Sequence, residues 1–295
     1  MTVENCIAEF LIEQQIRGNS KKTVEYYTRC LGFFSKFIDN TQFNITDISI
    51  SDCKKYYLYL NQKDLTTTSI QTYIRALRSF LTWCYSESYI DRNIPDKFKL
   101  PKAQRKTIDV LTDTEIQQIF DCFKGKSFLD VRNYCIVALM LDSGLRLNEV
   151  VTLESGNIHI AEGYAVVNGK GNKQRIVPLG LNSKKALLRY TSIIPLHCDK
   201  TPLFVKYTLT TIKQSTVKDL FRKLKIQSNI PRLRPHLLRH TFATRYLENG
   251  GDIYSLQMIL GHTSLEMVKK YVHLTTSKIA VNYTIYSPLD NVLKK

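Results

Sequence analysis

Apolar residues recur with helical spacing over the first 90 positions of the chain. Val3, Ile7 and Phe10, for example, fall on one face of a helix. A serine of the kind that caps helix N-termini precedes the second apolar stretch. The pattern predicts helices over 3–17, from Ser20 through Ile38, from Ser49 or Ser51 through Leu60, and over Thr67 to Glu87. Four helices in this length indicate a compact, all-helical domain.

Residues 91–110 interrupt this pattern. They contain Pro95, Pro101 and many charged side chains, a composition typical of interdomain linkers. We therefore predict a helical domain over 1–92, a linker over 93–110 and a second domain over 111–295.

The second domain mixes helical and strand patterns. Thr112 and Glu115 predict a capping box before a helix, and residues 129–141 predict an apolar helix. Three short runs separated by glycine-containing turns predict a small antiparallel sheet. These runs are 158–160, 164–167 and 175–177. Helices return from about residue 183, so the predicted fold class is mainly α with a small antiparallel β-sheet.

The composition indicates the cellular compartment. No run of about 18 apolar residues is present, and residues 1–6 lack the basic and apolar segments of a signal peptide. The seven cysteines are scattered and form no CxxC pair, so neither a zinc site nor a disulfide framework is indicated. We expect a cytoplasmic protein without a membrane partner.

The charge of the chain indicates a polyanionic partner. Lys and Arg number 42 against 26 acidic residues, which gives a net charge of +16. Residues 1–100 hold 13 basic and 11 acidic side chains, whereas residues 101–295 hold 29 and 15. Nucleic acid is the first interpretation and an acidic membrane surface the second. A basic surface that serves solubility is the third. The second domain is expected to make most of the contact.

Two motifs place cations at turns. Arg146 lies at a junction between predicted helices, where a guanidinium can bind a phosphate in a bidentate way. A surface ion pair with Glu149 is the alternative interpretation. The turn at 168–175 predicts either a basic hairpin tip that reaches a DNA groove or an exposed, solvated hairpin. Its cations are Lys170, Lys173 and Arg175.

A third motif concentrates polar side chains at a predicted helix start. Pro235 suits the first turn of a helix, and His236, Arg239 and His240 then share one face. Because the N-terminus of a helix attracts anions, this face suits a phosphate. We interpret His240 as the structural member of the three.

A fourth motif joins two predicted helices. Gly261 predicts a helix end, and Thr263 with Glu266 predicts the capping box of the next helix. His262 lies in the tight joint between them. Tyr271 lies two turns into the second helix and, as one of 17 tyrosines, is by itself typical of a core residue.

Together these motifs resemble those of the tyrosine recombinase (phage integrase) family, with spacing similar to its bacterial Xer branch. In order they are Gly144-Leu-Arg146, Gly169-Lys170-Gly171-Asn-Lys173, His236-x-x-Arg239-His240, Leu260-Gly261-His262 and Tyr271. Each is modest alone, but five in this order are very specific, and the resemblance covers nearly the whole chain. It implies a core-DNA-binding domain over 1–92 and a catalytic domain with a C-terminal tail over 111–295.

The resemblance implies a DNA transesterification that needs no metal, ATP or other cofactor. Tyr271 attacks the scissile phosphate, forms a 3′-phosphotyrosyl link and releases a 5′-hydroxyl. Two arginines hold the non-bridging oxygens, and the lysine protonates the leaving oxygen. The earlier histidine, His236, accepts the tyrosine proton, and the later one bonds the phosphate. The implied catalytic set is Arg146, Lys170, His236, Arg239, His262 and Tyr271, with His240 as structural support.

The resemblance also implies the partners. The expected substrate is a double-stranded DNA recombination site, bound by a homo-tetramer that assembles through the C-terminal tail. The free protein is expected to be a monomer. Candidate DNA contacts are Lys21, Lys22, Arg29, Arg75, Arg78, Lys173 and Arg175. For these cations a solvated helix face is the alternative.

Two other functions stay open on the sequence alone. One is a DNA-binding protein that has this fold but does not cut, against which the complete residue set argues. The other is a type IB topoisomerase, which shares the chemistry and which the short chain disfavours. Dimer resolution, transposon excision and phage integration use the same core, so the sequence specifies neither the role nor the target site.

Overall fold

The computed structural model describes residues 1–98, 109–169, 173–194, 200–262 and 264–272. The chain forms two compact units, Met1–Lys106 and Thr107–Lys295. The described elements are helices and one small sheet, which confirms the predicted fold class.

The first unit is helical, as predicted. The side chains of Ser20, Ser49 and Thr66 each accept a hydrogen bond from the backbone N–H three residues later, which fixes three helix starts. Its helices are α1 Val3–Ile16, α2 Lys21–Ile38, α3 Ile50–Asn61, α4 Thr67–Ser86 and α5 Ile94–Lys97. The first four correspond to the predicted helices.

Aromatic side chains fill the core of the first unit. The ring of Phe10 on α1 lies 5.6 Å from that of Phe80 and 5.5 Å from that of Trp83, both on α4. Phe34 on α2 meets Tyr56 on α3 edge-on at 5.1 Å. All five side chains are buried, so these pairs join α1 to α4 and α2 to α3.

The chain leaves the first unit later than the predicted linker, 93–110, implies. Ile94 on α5 and Phe98 just after it are buried in the core of the first unit. Pro95 fits because it lies in the first turn of α5, where its missing N–H costs no hydrogen bond. Residues 99–108 lie outside the described ranges.

The second unit begins with the predicted capping box. Thr112 and Glu115 exchange hydrogen bonds at the start of its first helix. The helices are α6 Asp113–Asp121, α7 Phe128–Asp142, α8 Leu147–Val151, α9 Leu181–Thr191, α10 Gln214–Gln227, α11 Pro235–Glu248, α12 Ile253–Leu260 and α13 Glu266–Val272. The predicted apolar helix is α7, which packs against both α9 and α11.

The predicted three-stranded antiparallel sheet is confirmed. The strands are β1 Ile158–His159, β2 Tyr164–Asn168 and β3 Gln174–Pro178, in the order β1-β2-β3. Val167 and Val177 point into the core while Ile176 is exposed, because successive residues of a strand face opposite sides. The tip of the β2–β3 hairpin, with the predicted Lys170, lies outside the described residues.

A smaller core lies where α11, α12 and α13 meet. Phe242, Leu256, Leu260, Val268 and Tyr271 are all buried there. Because α11 packs against α7 as well, its first two turns lie between the C-terminal ends of α7 and α12. This junction holds the polar residues described next.

Candidate active site

The start of α11 supplies three of the predicted site residues. Pro235 occupies the first turn, as predicted from the sequence. His236 in the same turn is exposed, Arg239 is buried, and His240 is partly buried. The three side chains therefore extend from solvent into the interior of the unit.

The guanidinium of Arg239 is buried against carbonyl groups at two helix ends. Its Nη1 donates to the carbonyl of Gly144 at 2.6 Å, and its Nη2 donates to that of Leu260 at 2.7 Å. Nη2 also lies 3.1 Å from Nε2 of His262. Burial, and then the charge of Arg146, lower the pKa of Arg239 to about 9, so the group still carries its charge at neutral pH.

Two glycines allow the backbone to approach this guanidinium. Gly144 and Gly261 both have left-handed conformations, with φ of +62° and +61°. A Cβ on Gly144 would lie 2.5 Å from the ring of Phe242, and one on Gly261 would lie 2.9 Å from Cδ of Arg175. Glycine is therefore required on both sides, and the predicted helix end at Gly261 is confirmed.

A buried carboxylate joins two further arginines. Glu149 is 3% exposed and accepts hydrogen bonds from Nη1 of Arg146 at 2.8 Å and from the two Nη atoms of Arg175 at 2.8 and 2.9 Å. The backbone N–H of Arg146 also donates to it at 2.8 Å. Burial acts to raise the pKa of Glu149, but Arg175 and then Arg146 lower it to about 2. Glu149 is therefore an ionised, interior residue, whereas the sequence suggests only a surface ion pair.

Arg175, a predicted DNA contact, is turned into the interior of the unit, and its contact with DNA stays a prediction. Its side chain is 10% exposed, and its Nε donates to the carbonyl of Ile259 at 2.7 Å while both Nη atoms bind Glu149. The cause is strand alternation, since Arg175 and the buried Val177 are two residues apart on β3 and face the same side. The alternation of facing sides along the predicted strand 175–177 would have predicted from the sequence that Arg175 points inward with Val177.

The described part of this junction carries a surplus of positive charge. Three guanidinium groups, those of Arg146, Arg175 and Arg239, face one carboxylate, that of Glu149. The side chain of Arg146 is 31% exposed, so this cation can be reached from solvent. Such an arrangement favours an anion with several oxygens, as a phosphodiester is.

Tyr271, the predicted nucleophile, lies on α13 with its hydroxyl against α11. The residue is 1% exposed, and its Oη lies 2.8 Å from Nδ1 of His240. Burial raises the pKa of Tyr271 to about 12, while the charges of Arg239 and Arg146 act to lower it. The sequence interpretation assigns the contact with Tyr271 to His236, whereas the structure brings His240 to the hydroxyl.

Comparison with known proteins identifies the family. The profile of the phage integrase family matches residues 109–278, and that of the phage integrase SAM-like domain matches residues 5–100. The chain belongs to the phage integrase family. The resemblance found in the sequence motifs is thereby confirmed.

Relatives of this phage integrase family member are recombinases. It is 29% identical over 280 residues to "Tyrosine recombinase XerD" of Oceanobacillus iheyensis, which covers 92% of this chain and 94% of the relative. The crystal structure of XerA recombinase is 28% identical, covers 96% of this chain and 99% of that chain, and gives a TM-score of 0.52. A lambda integrase dimer bound to a COC′ core site gives a TM-score of 0.76 at 18% identity, with 92% and 95% coverage, which supports the fold alone. The predicted class is confirmed: the chain is a site-specific DNA recombinase of the tyrosine type.

Most other predicted DNA contacts of this recombinase lie on exposed surfaces. Lys21 and Arg29 border one shallow groove along α2. The exposed candidates are Lys21, Lys22, Arg29, Arg75 and Lys173, and Arg78 is partly exposed. Their contact with DNA stays a prediction.

Two general properties of the described ranges bear on the partners of this recombinase. In the part of the chain that the structure describes, no three His, Cys, Asp or Glu side chains are grouped so that they could hold a metal ion. None of the described helices has the length and apolar character needed to cross a membrane. The predicted tail after Val272 lies outside the described residues.

Proposed function

We propose that this recombinase cuts and rejoins duplex DNA through Tyr271, with a 3′-phosphotyrosyl intermediate. The observation that carries the proposal is the position of Tyr271. Its hydroxyl contacts α11, and the positive charges of Arg239 and Arg146 act to lower its pKa. A phenol with a raised pKa is protonated at neutral pH and is a weak nucleophile. A neighbouring base and cations beside the target phosphate overcome this weakness.

Each remaining residue of the predicted set has a role in the proposed reaction. Arg146 and Arg239 hold the non-bridging oxygens, and His262, next to Arg239, adds a hydrogen bond to the phosphate. Lys170 protonates the leaving 5′-oxygen. The tyrosine proton passes to a histidine of α11, which the family resemblance gives as His236. Phosphoryl transfer of this kind depends on positioning and charge neutralisation more than on covalent help.

The proposed substrate is a double-stranded DNA recombination site. The basic surplus of residues 101–295 supports a polyanionic substrate for the catalytic unit.

We place the protein in the cytoplasm, as a monomer when free and as a tetramer on two DNA sites. The tail after Val272 is proposed to contact a neighbouring copy. The reaction serves integration, excision or dimer resolution.

A nicked suicide substrate tests the chemistry. The DNA that flanks the gene is footprinted first, and the protected site is then synthesised with a nick next to the cleavage position. The wild-type protein is expected to accumulate a covalent adduct that survives denaturing electrophoresis. Tyr271→Phe is expected to bind the same DNA without forming the adduct. An adduct with Tyr271→Phe contradicts the nucleophile, and a wild-type protein that binds without any adduct favours the non-cutting alternative.

A supercoiled plasmid distinguishes the recombinase from a type IB topoisomerase. A plasmid without the footprinted site is expected to stay supercoiled, because cleavage depends on a specific site. A matched plasmid that carries two copies of the site serves as the positive control and is expected to recombine. Relaxation of both plasmids at equal rates supports the topoisomerase.

A further inference from the structure

The second histidine of α11 contacts the reacting atom of Tyr271. Nδ1 of His240 lies 2.8 Å from Oη of Tyr271, within the range of a hydrogen bond. The ring centroids are 5.7 Å apart and the planes are inclined by 48°, so the rings do not stack. The contact is therefore a directed one between the hydroxyl and the ring nitrogen.

The direction of this hydrogen bond follows from the protonation state of the phenol. Burial raises the pKa of Tyr271 to about 12, even though Arg239 and Arg146 oppose the shift, so the hydroxyl keeps its proton at neutral pH. A neutral phenol donates to the imidazole nitrogen that lacks a proton. We therefore assign Nδ1 of His240 as the acceptor, with the ring proton on Nε2.

The packing around Tyr271 restricts where its proton can go. Tyr271 is 1% exposed and lies in the same small core as Phe242 and Leu260, so bulk water has little access to the side chain. His240 is partly exposed, so its ring can exchange a proton with solvent after taking one from the interior. His236, one turn earlier, lies on the exposed first turn of α11.

We propose that His240, in place of the His236 that the family resemblance gives, is the proton acceptor of Tyr271 and hence a catalytic residue. The proposal rests on the proposed function, in which Tyr271 is the nucleophile. As the bond from Oη to phosphorus forms and the bond from phosphorus to the 5′-oxygen breaks, the phenolic proton moves to Nδ1 of His240. The leaving 5′-oxygen takes its proton from a separate acid, Lys170 in the proposed reaction. During rejoining the 5′-hydroxyl attacks phosphorus, and the imidazolium of His240 returns its proton to the departing Oη.

Two substitutions at His240 separate proton transfer from positioning. His240→Asn keeps a hydrogen-bond acceptor near the place of Nδ1 but has no base to take the proton, and His240→Ala removes both. Cleavage of the nicked substrate is measured in a single turnover at neutral pH, together with DNA affinity. Both variants are expected to cleave about 10²- to 10⁴-fold more slowly, the usual contribution of a general base, with unchanged affinity. A His240→Asn protein that cleaves at the wild-type rate overturns the proposal, since His240 then only positions the hydroxyl.

Added imidazole gives a readout that a structural role does not produce. It is expected to raise the cleavage rate of His240→Ala in a saturable way, because it occupies the space left by the ring and takes the proton. His236→Ala is the matched control on the same helix and is expected to show no such rescue. A His240→Ala protein that imidazole does not accelerate, or rescue of His236→Ala instead, overturns the proposal. If His240→Ala does not fold, the single-turnover cleavage rate of His240→Asn tests the proposal by itself.

The failure of this inference is distinguishable from that of the proposed function. A wild-type protein that forms no adduct on its footprinted site contradicts the proposed function itself. An adduct that depends on Tyr271 but forms equally fast in both His240 variants contradicts only the assignment of His240.

Discussion

A carboxylate enclosed by guanidinium groups controls the charge of the site. Glu149 binds Arg146 and Arg175 directly, and its negative charge also acts on Arg239. Removing one partner of a buried ion pair leaves an uncompensated charge, which is strongly destabilising. Glu149 therefore allows three arginines to lie close together, while the exposed part of Arg146 stays accessible to a phosphate.

Replacing Glu149 by Gln is expected to weaken the acid sensitivity of folding. The pKa of Glu149 falls from 4.5 to about 2 on folding. Because the folded pKa is the lower one, the stabilisation is complete above about pH 4.5 and is lost as the pH falls toward 2. From this group alone the wild type loses about 2 kcal/mol between pH 7 and pH 3.

Urea unfolding followed by circular dichroism at pH 7 and pH 3 measures this difference. Glu149→Gln is expected to be less stable than the wild type at pH 7 and to lose less stability on acidification. Asp219→Asn is the control, because Asp219 forms an exposed ion pair with Arg222 and should leave the pH dependence unchanged. If the wild type and Glu149→Gln lose the same stability between pH 7 and pH 3, the low pKa assigned to Glu149 is contradicted.

At the residue scale, the sequence identifies the participants of the site but not all of their contacts. Arg146, Arg239 and Tyr271 are found because their motifs follow one another in a specific order. His236 and His240 share a helix face by spacing alone, so the sequence cannot tell which one meets Tyr271. That choice depends on how α13 packs against α11, which is a tertiary contact across 31 residues.

At the element scale, helix ends bring the site together. α7 ends before Gly144 and α12 ends at Leu260, just before Gly261, and the carbonyl groups of Gly144 and Leu260 accept hydrogen bonds from Arg239. The glycines that follow α7 and α12 and the proline in the first turn of α11 can be predicted from the sequence, because these helix boundaries depend only on neighbouring residues. The short helix α5 falls within the predicted linker because its stability comes from burying Ile94 and Phe98 among residues distant in sequence.

Gly261→Ala is expected to slow cleavage as well as to destabilise the fold. The new Cβ would lie 2.9 Å from Cδ of Arg175 and would displace the backbone beside His262. The left-handed conformation alone costs about 1 kcal/mol for a residue other than glycine. A shift of about 1 Å in an active site can cost a hundredfold in rate, so a loss of about tenfold or more is expected.

Gly18→Ala is the matched control for this prediction. Gly18 has a φ of +68°, close to that of Gly261, but nothing lies within 4 Å of its added Cβ. Both variants should therefore lose similar stability from the backbone in thermal unfolding. Only Gly261→Ala should also lose rate in single-turnover cleavage, and equal rates for the two variants contradict the role of this helix end.

At the scale of the whole molecule, the two units differ in charge. Met1–Lys106 holds 16 basic and 11 acidic side chains, whereas Thr107–Lys295 holds 26 and 15. We therefore predict that the second unit contributes more of the general electrostatic attraction to DNA, and that the first unit relies more on a few placed cations. Pattern and composition predict both units, but the target DNA sequence depends on side-chain positions in a groove, which neither of them supplies.

The exposed cations of α2 provide a test of how the first unit contacts DNA. Replacing Lys21, Lys22 and Arg29 together by Gln is expected to weaken binding and to flatten its salt dependence. The slope of log affinity against log salt concentration should fall by about 0.9 for each phosphate that the variant no longer neutralises. Arg222→Gln is the control, since Arg222 is exposed but already pairs with Asp219.

Affinity is measured between about 50 and 200 mM salt on the footprinted site and on unrelated DNA of equal length. Phosphate contacts carry no sequence information, so the triple variant should lose affinity equally on both DNAs. A loss confined to the footprinted site would mean that these side chains reach base edges instead. A slope equal to that of Arg222→Gln would mean that α2 presents a solvated face, and the DNA contacts of the first unit must then be sought around Arg75 and Arg78 on α4.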